Sequence, residues 1–75
     1  MTVEAHIHPC HTRLERDLAY TIVELVPRLG ANHMYELEDR LGENVRDERI
    51  RFGREGESLC LYFHGRSFIT FTKQG

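Results

Sequence analysis

The first residues of the chain alternate between apolar and polar side chains. Val3, Ala5 and Ile7 are separated by polar residues from Thr2 to His8, which is the two-residue period of a strand with one buried face. Pro9 has no N–H group to donate to a neighbouring strand. The pattern therefore predicts an N-terminal strand that ends before residue 9.

A long amphipathic helix is predicted next. Thr12 and Glu15 have the spacing of a capping box, and Glu15 is expected on the solvent side together with Arg16. Proline disfavours the helical conformation of the residue before it, so Pro27 is expected to end or kink the helix near residues 25–26, with Gly30 closing it. The apolar residues that follow the cap recur at helical spacing; they are Leu14, Leu18, Ala19, Ile22, Val23, Leu25, Val26 and Leu29.

A shorter second helix is expected over roughly residues 33–41. Asn32 is its candidate N-cap, Leu37 and Leu41 are its inward residues, and Gly42 is its expected C-terminal stop. The polar segment 43–48 then serves as a connector.

The last third of the chain alternates again and predicts three strands joined by two tight turns. The turns are expected at Glu55-Gly56 and at His64-Gly65, where residues that tolerate a positive φ are needed. The element order is then β-α-α-β-β-β. The fold class is α+β, an antiparallel sheet made of a C-terminal meander plus the N-terminal strand, with both helices packed on one face.

Hairpin parity assigns residues to the two faces of this sheet. A two-residue turn at 55–56 pairs Arg51 with Cys60 and Arg49 with Tyr62 on one face, and leaves the apolar residues of both strands on the other. The second hairpin is ambiguous by one residue, and a shift of one residue moves every side chain to the opposite face.

Both registers of the second hairpin leave apolar side chains on the face opposite the helices. A two-residue turn leaves Ile69 and Phe71 there, and a three-residue turn leaves Phe68 there. Burying one such side chain stabilises by roughly 1.5–3 kcal/mol, and monomers seldom expose a contiguous patch of this kind. The alternative is that the N-terminal strand or the connector covers the patch.

The pattern therefore predicts a homodimer or partner-binding surface on the second face, and hence an interaction or regulatory module. The residues expected at the contact are Cys60, Tyr62, Phe68, Ile69 and Phe71, with Arg49 and Arg51 at its rim.

A metal-responsive role is an alternative. Alternation places His6 and His8 on the same side of a strand, about 7 Å apart, and Cys10 or His11 beyond the proline could supply a third ligand for zinc, copper or nickel. The spacing is not that of an established metal motif, so a polar strand face followed by residues leading into the helix is the favoured interpretation.

Single-stranded nucleic-acid binding is the other alternative. Arg49, Arg51 and Tyr62 on one face, with Arg54 and Arg66 near the turns, combine cations with an aromatic platform. The net charge of −2 gives no general attraction for nucleic acid. Catalysis is not expected, because the chain has no glycine-rich phosphate loop and no Cys–His pair with an orienting third group.

Composition bounds the remaining choices. The 75 residues are predicted to form one domain, and 40% hydrophobic with 29% charged residues is ordinary for a globular protein. The N-terminus lacks the features of a secretion signal, and two cysteines without one favour a reducing, cytoplasmic location. A Cys10–Cys60 disulfide is the less favoured alternative, and no membrane association is expected.

Overall fold

Two helices and four antiparallel strands make up the fold, in the predicted order β-α-α-β-β-β. The computed structural model describes residues 2–74. The elements are β1 (Val3–Ile7), α1 (Arg13–Leu29), α2 (Met34–Asn44), β2 (Ile50–Glu55), β3 (Ser58–Phe63) and β4 (Arg66–Lys73). The α+β prediction with a C-terminal meander is confirmed.

The strand order in the sheet is β1-β4-β3-β2, and every neighbouring pair is antiparallel. The meander accounts for β2, β3 and β4, and β1 is added at the outer side of β4. Both β1 and β2 are therefore edge strands.

The core lies between the sheet and the two helices. Its largest fully buried side chains come from α1, α2, β3 and β4, and they are Phe68, Phe71, Ile22, Leu37, Leu41, Leu59, Leu61 and Ile69. Val3, Ala5 and Ile7 of β1 pack against this cluster from the edge. The helices thus cover one side of the sheet, as the apolar alternation predicted.

Helix α1 begins at the predicted cap and is closed by Gly30, as predicted. The Thr12 hydroxyl accepts the N–H of Glu15 at 3.1 Å, and the chain leaves the helix at Gly30 in the left-handed conformation, with φ 65°. Of the two effects expected from Pro27, an end of the helix near residues 25–26 is wrong, because the helix continues to Leu29. A proline in the last turn removes one backbone hydrogen bond, and the packing of Val26 and Leu29 against the core holds the remaining turn.

Helix α2 also differs at both ends from the prediction. Its N-cap is His33 rather than Asn32, and the His33 Nδ1 accepts the N–H of Glu36 at 3.2 Å. Gly42 lies inside the helix, which continues to Asn44 because the buried Leu41 anchors its last turn and accepts the N–H of Val45 at 2.7 Å. The helix-propensity penalty of a single glycine is smaller than the stabilisation that this packing provides.

The β2–β3 hairpin turns at Gly56-Glu57, one residue later than predicted. Every pair is consequently shifted by two residues, so that Arg51 lies opposite Tyr62 and Gly53 lies opposite Cys60. The predicted pairs Arg51–Cys60 and Arg49–Tyr62 are wrong. A shift of two keeps the parity of the strand, so the assignment of side chains to faces is unchanged.

The β3–β4 hairpin resolves the ambiguous register in a way that neither alternative anticipated. The turn is the two-residue His64-Gly65 turn, with φ 51° and 79°, but a bulge interrupts the pairing after Leu61. An extra residue in one strand reverses the parity beyond it. Phe68, Ile69 and Phe71 are therefore all 1% exposed or less and belong to the core. Their predicted placement on the second face is wrong.

Candidate functional site

The candidate site is the side of the sheet opposite the helices, which we call the open face. Strand register and alternation place its side chains as follows: Glu4 and His6 on β1; Ser67, Thr70 and Thr72 on β4; Ser58, Cys60 and Tyr62 on β3; and Arg51, Gly53 and Glu55 on β2. His8, just after β1, joins this face through its contact with Thr70. Because the three apolar residues of β4 lie in the core, this face is mainly polar, and Tyr62 is its aromatic residue.

The Tyr62 ring packs closely against Gly53 on the open face. A methyl group at Gly53 would lie 3.1 Å from the Tyr62 Cε2 atom, so the ring packs directly against the backbone of β2. A Cβ atom at position 53 would require the ring to move by a few tenths of an ångström. Gly53 therefore allows the half-buried Tyr62 ring to approach the β2 backbone closely.

Cys60 is the neighbour of Tyr62 on the open face of β3 and lies opposite Gly53 in the register. It is 6% exposed, and its thiol is free. Its electrostatic interaction with the phenol raises the pKa of Tyr62, and partial burial of the hydroxyl acts in the same direction. Cys60 thus lies on the predicted face beside Tyr62, but it is almost fully buried.

The two arginines predicted at the rim have different positions. Arg51 is exposed and directly opposite Tyr62 in the register. Arg49 precedes β2, and its Nη2 and Nε atoms lie 2.7 and 3.0 Å from the two carboxylate oxygens of Asp47. These hydrogen bonds lower the pKa of Asp47 to about 2. Arg49 is thus committed to the turn before β2, away from Tyr62.

The four candidate metal ligands separate into two groups. The rings of His6 and His8 have centroids 4.6 Å apart, and the His8 Nε2 is 2.8 Å from the Thr70 hydroxyl. Cys10 points its sulfur at the carbonyl of His8, at 3.4 Å. Within residues 2–74, no three histidine, cysteine or acidic side chains are arranged to hold one ion.

His11 belongs to the start of α1 rather than to the histidine pair. Its backbone N–H donates to the carboxylate of Glu15 at 2.9 Å. The interpretation of Cys10 and His11 as residues leading into the helix agrees with this geometry. One protomer therefore brings together two of the four candidate ligands, His6 and His8.

Glu15 is the ionisable residue that the sequence pattern misplaced. It was expected on the solvent side, yet it is 3% exposed and its Oε1 lies 3.1 Å from the Arg66 Nη1. The hydrogen bond from the backbone of His11 lowers the pKa of Glu15, and the Arg66 guanidinium lowers it further. The capping-box spacing identifies its bond at the helix end, but no local signal identifies Arg66 as its partner.

Arg54 is also engaged on the helix side of the sheet. Its Nε lies 2.8 Å from the Glu38 Oε1, and its Cζ lies 3.9 Å from the centre of the Tyr35 ring. Arg54 and Arg66, both part of the nucleic-acid alternative, are therefore directed away from the open face. Among residues 2–74, Arg51 is the arginine left there, together with the His6 and His8 imidazoles.

A groove runs between β1 and the C-terminal half of α1, on the helix side of the sheet. It is lined mainly by apolar residues, including Val3, Ala5, Val23, Val26 and Pro27, and its volume is about 640 Å³. Two of its lining residues, Val3 and Ala5, belong to the edge strand β1.

The chain matches no known protein-family model, no curated protein and no solved structure. Neither helix described in residues 2–74 is both long and apolar enough to cross a membrane. The chemistry of the surface is therefore the basis for inferring a function.

Proposed function

We propose that the protein is a non-catalytic interaction module that self-associates through its sheet, with Tyr62 as the anchor and Arg51 at the rim of the contact. The observation that supports this proposal is the close packing of the Tyr62 ring against Gly53. The helices lie on the other side of the sheet, and so the ring is directed at a surface that a second protein can reach.

Tyrosine and arginine suit this role for physical reasons. Both residue types are enriched among the few side chains that supply most of the binding energy at protein interfaces. A side chain that is already held in position loses less conformational freedom on binding. Arg51, exposed beside the ring, favours correctly oriented encounters with a carboxylate such as Glu55 or Glu4 of a second copy.

The burial of Phe68, Ile69 and Phe71 sets a limit on the strength of this contact. Each apolar side chain removed from an interface withdraws roughly 1.5–3 kcal/mol of burial energy, and about 1.4 kcal/mol changes a dissociation constant tenfold. The remaining surface is polar around one tyrosine. We therefore expect a dissociation constant on the order of micromolar or weaker.

The test compares two tyrosines in different places. Tyr62→Ala removes the anchor, whereas Tyr20→Ala removes a tyrosine on α1 that is 54% exposed on the other side of the molecule. Sedimentation equilibrium should show weaker self-association for Tyr62→Ala and wild-type behaviour for Tyr20→Ala. Equal association of both variants and the wild type would refute the open face as the contact.

Single-stranded nucleic acid is the second candidate for the same surface. The supporting observation is that Tyr62, Arg51 and the His6–His8 pair share the open face. Aromatic rings on which bases can stack therefore lie on the same surface as a cation that can contact phosphate. Fluorescence anisotropy with a labelled thymidine oligonucleotide should then show binding that weakens steeply with salt and with Arg51→Ala. No binding at about 50 mM salt would exclude this candidate.

A further inference from the structure

The outer edge of β1 has unused backbone hydrogen-bonding groups. The N–H of His8 donates to the carbonyl of Phe68, and the carbonyl of Thr2 accepts the N–H of Gln74, both at 2.9 Å. The even-numbered residues of β1 therefore bond to β4. Because successive residues of a strand point their N–H and C=O groups in opposite directions, Val3, Ala5 and Ile7 point theirs away from the sheet.

Several features that prevent strand pairing are absent from this edge. Proteins often protect free edges with lysine, proline or a bulge; Val3–Ile7 contains no lysine or proline, and its pairing with β4 is regular. The opposite edge of the sheet is better protected. On β2 the Ile50 N–H bonds to the carbonyl of Asp47 at 3.0 Å, and Arg54 with its Glu38 partner lies beside that strand.

We propose that β1 of a second copy pairs antiparallel with this edge, in the register centred on Ala5. Within Val3–Ile7, the symmetric registers that pair more than one outward-pointing residue are centred on Glu4, Ala5 or His6. Centring on Glu4 sets it against the partner's Glu4, and centring on His6 sets two imidazoles against each other. Centring on Ala5 sets Glu4 against the partner's His6.

The register centred on Ala5 is complementary on both sides of the strand. On the open face it sets the Glu4 carboxylate opposite an imidazole twice, because the symmetry repeats the contact, and an imidazole N–H can donate a hydrogen bond to a carboxylate. On the helix side it places Val3 against the partner's Ile7. It also uses all three outward-pointing residues and forms about six backbone hydrogen bonds, against about four in either alternative.

The groove beside β1 provides the apolar part of this contact. It is lined by Val3, Ala5, Val23, Val26 and Pro27, and pairing places the apolar side chains of the second strand at its mouth. The four-stranded sheets of the two copies become one continuous sheet. This inference goes beyond the proposed function, because the edge contact leaves Tyr62 and Arg51 uncovered.

Charge reversal tests the complementarity. Glu4→Lys sets two cations against the partner's histidines, and we expect roughly tenfold weaker association by sedimentation equilibrium. The double variant Glu4→His with His6→Glu restores the pairing and should associate within about threefold of the wild type. Glu57→Lys carries the same charge change in the exposed β2–β3 turn and should have no effect.

Melting curves monitor the fold of each variant, because Glu4 also accepts a hydrogen bond from Gln74 within the chain. Unchanged association of a folded Glu4→Lys variant would overturn the edge pairing. Failure of the charge swap to restore association would overturn the register centred on Ala5.

Disulfide trapping tests the register independently. In the background of Cys10→Ser, Ala5→Cys should cross-link two copies under oxidation, since directly opposed, hydrogen-bonded residues have Cα atoms about 5.5 Å apart. Glu4→Cys and His6→Cys should cross-link to each other faster than to themselves. Self-linking of either one at the rate of Ala5→Cys would overturn the register. Adding Tyr62→Ala should leave the Ala5→Cys cross-link unchanged, so the edge contact and the open-face contact can fail separately.

Discussion

Phe68 provides the sharpest test of the observed sheet, because the three-residue turn considered for the second hairpin would place it on the open face. It is 1% exposed, and its ring centre lies 5.2 Å from that of Phe63. In the three-residue register the same side chain would have been available to a partner. Phe68→Leu therefore distinguishes a core residue from a docking residue.

The expected effect follows from what the aromatic ring contacts. An aromatic pair contributes about 0.5–1.5 kcal/mol beyond its buried area, and leucine fills less of the site, so Phe68→Leu should cost roughly 1–2 kcal/mol of unfolding free energy. Truncation to alanine would cost about 3–5 kcal/mol. A domain of this length has about 4–11 kcal/mol in total, so the leucine variant is the one that remains folded.

Urea denaturation followed by circular dichroism measures this change. A loss of roughly 1–2 kcal/mol corresponds to a melting temperature lower by about 5–15 °C in a domain of this size. Leu14→Ala is the control, because Leu14 is 69% exposed and surface changes usually stay within about 0.5 kcal/mol. The reasoning is refuted if Phe68→Leu is as stable as the control and instead weakens self-association.

Three further predictions concern groups outside this pair. The lowered pKa of Glu15 means that its carboxylate stabilises the fold fully above pH 4.5 and that this contribution declines as pH falls below that value. Arg66→Ala should therefore lower the unfolding free energy at pH 7 and make it fall less between pH 7 and pH 3, as measured by urea titrations. An unchanged pH profile would contradict the ion pair. Gly53→Ala should displace the Tyr62 ring, which NMR would detect as shifted ring resonances with the rest of the spectrum preserved. Unshifted ring resonances would show that Tyr62 and Gly53 do not pack as closely as described. Zinc should leave the melting temperature within about 1 °C, because residues 2–74 bring only two histidine ligands together; a rise of several degrees that is lost on replacing both histidines by alanine would favour the metal-responsive alternative.

Much of the architecture was predictable because it depends on periodicity. The alternation of Val3, Ala5 and Ile7, the helical stripe of α1 and the alternating C-terminal segments each bury one face, and these patterns specify the elements and the layer order. Tolerance of positive φ likewise identified His64-Gly65 as a turn. Such signals are local, so a single sequence carries them.

The faces of β4 were not predictable because a bulge is a property of two paired strands. Counting from the His64-Gly65 turn gives a definite face for each residue only if every residue of β3 has one partner, and the extra residue near Phe68 breaks that count. Had hydrophobicity been given precedence over parity, Phe68, Ile69 and Phe71 could all have been assigned to the core.

The candidate site was predicted in part for the same reason. Cys60, Tyr62 and Arg51 share the open face because a two-residue shift preserves parity, whereas Arg49 lies outside the strand and bonds to Asp47. The packing of Tyr62 against Gly53 depends on cross-strand register, and the Glu15–Arg66 ion pair joins residues distant in sequence. Neither contact leaves a local pattern that could be found in the sequence.

The most direct test of self-association through the sheet is the molar mass of the wild-type protein from light scattering across concentrations from about 1 to 100 μM, a range set by the expected affinity. We predict a rise from the 8.8 kDa of a single chain toward at least twice that value. A mass that stays at 8.8 kDa at the highest concentration, for a protein that is folded by circular dichroism, would contradict both the open-face contact and the β1 edge contact.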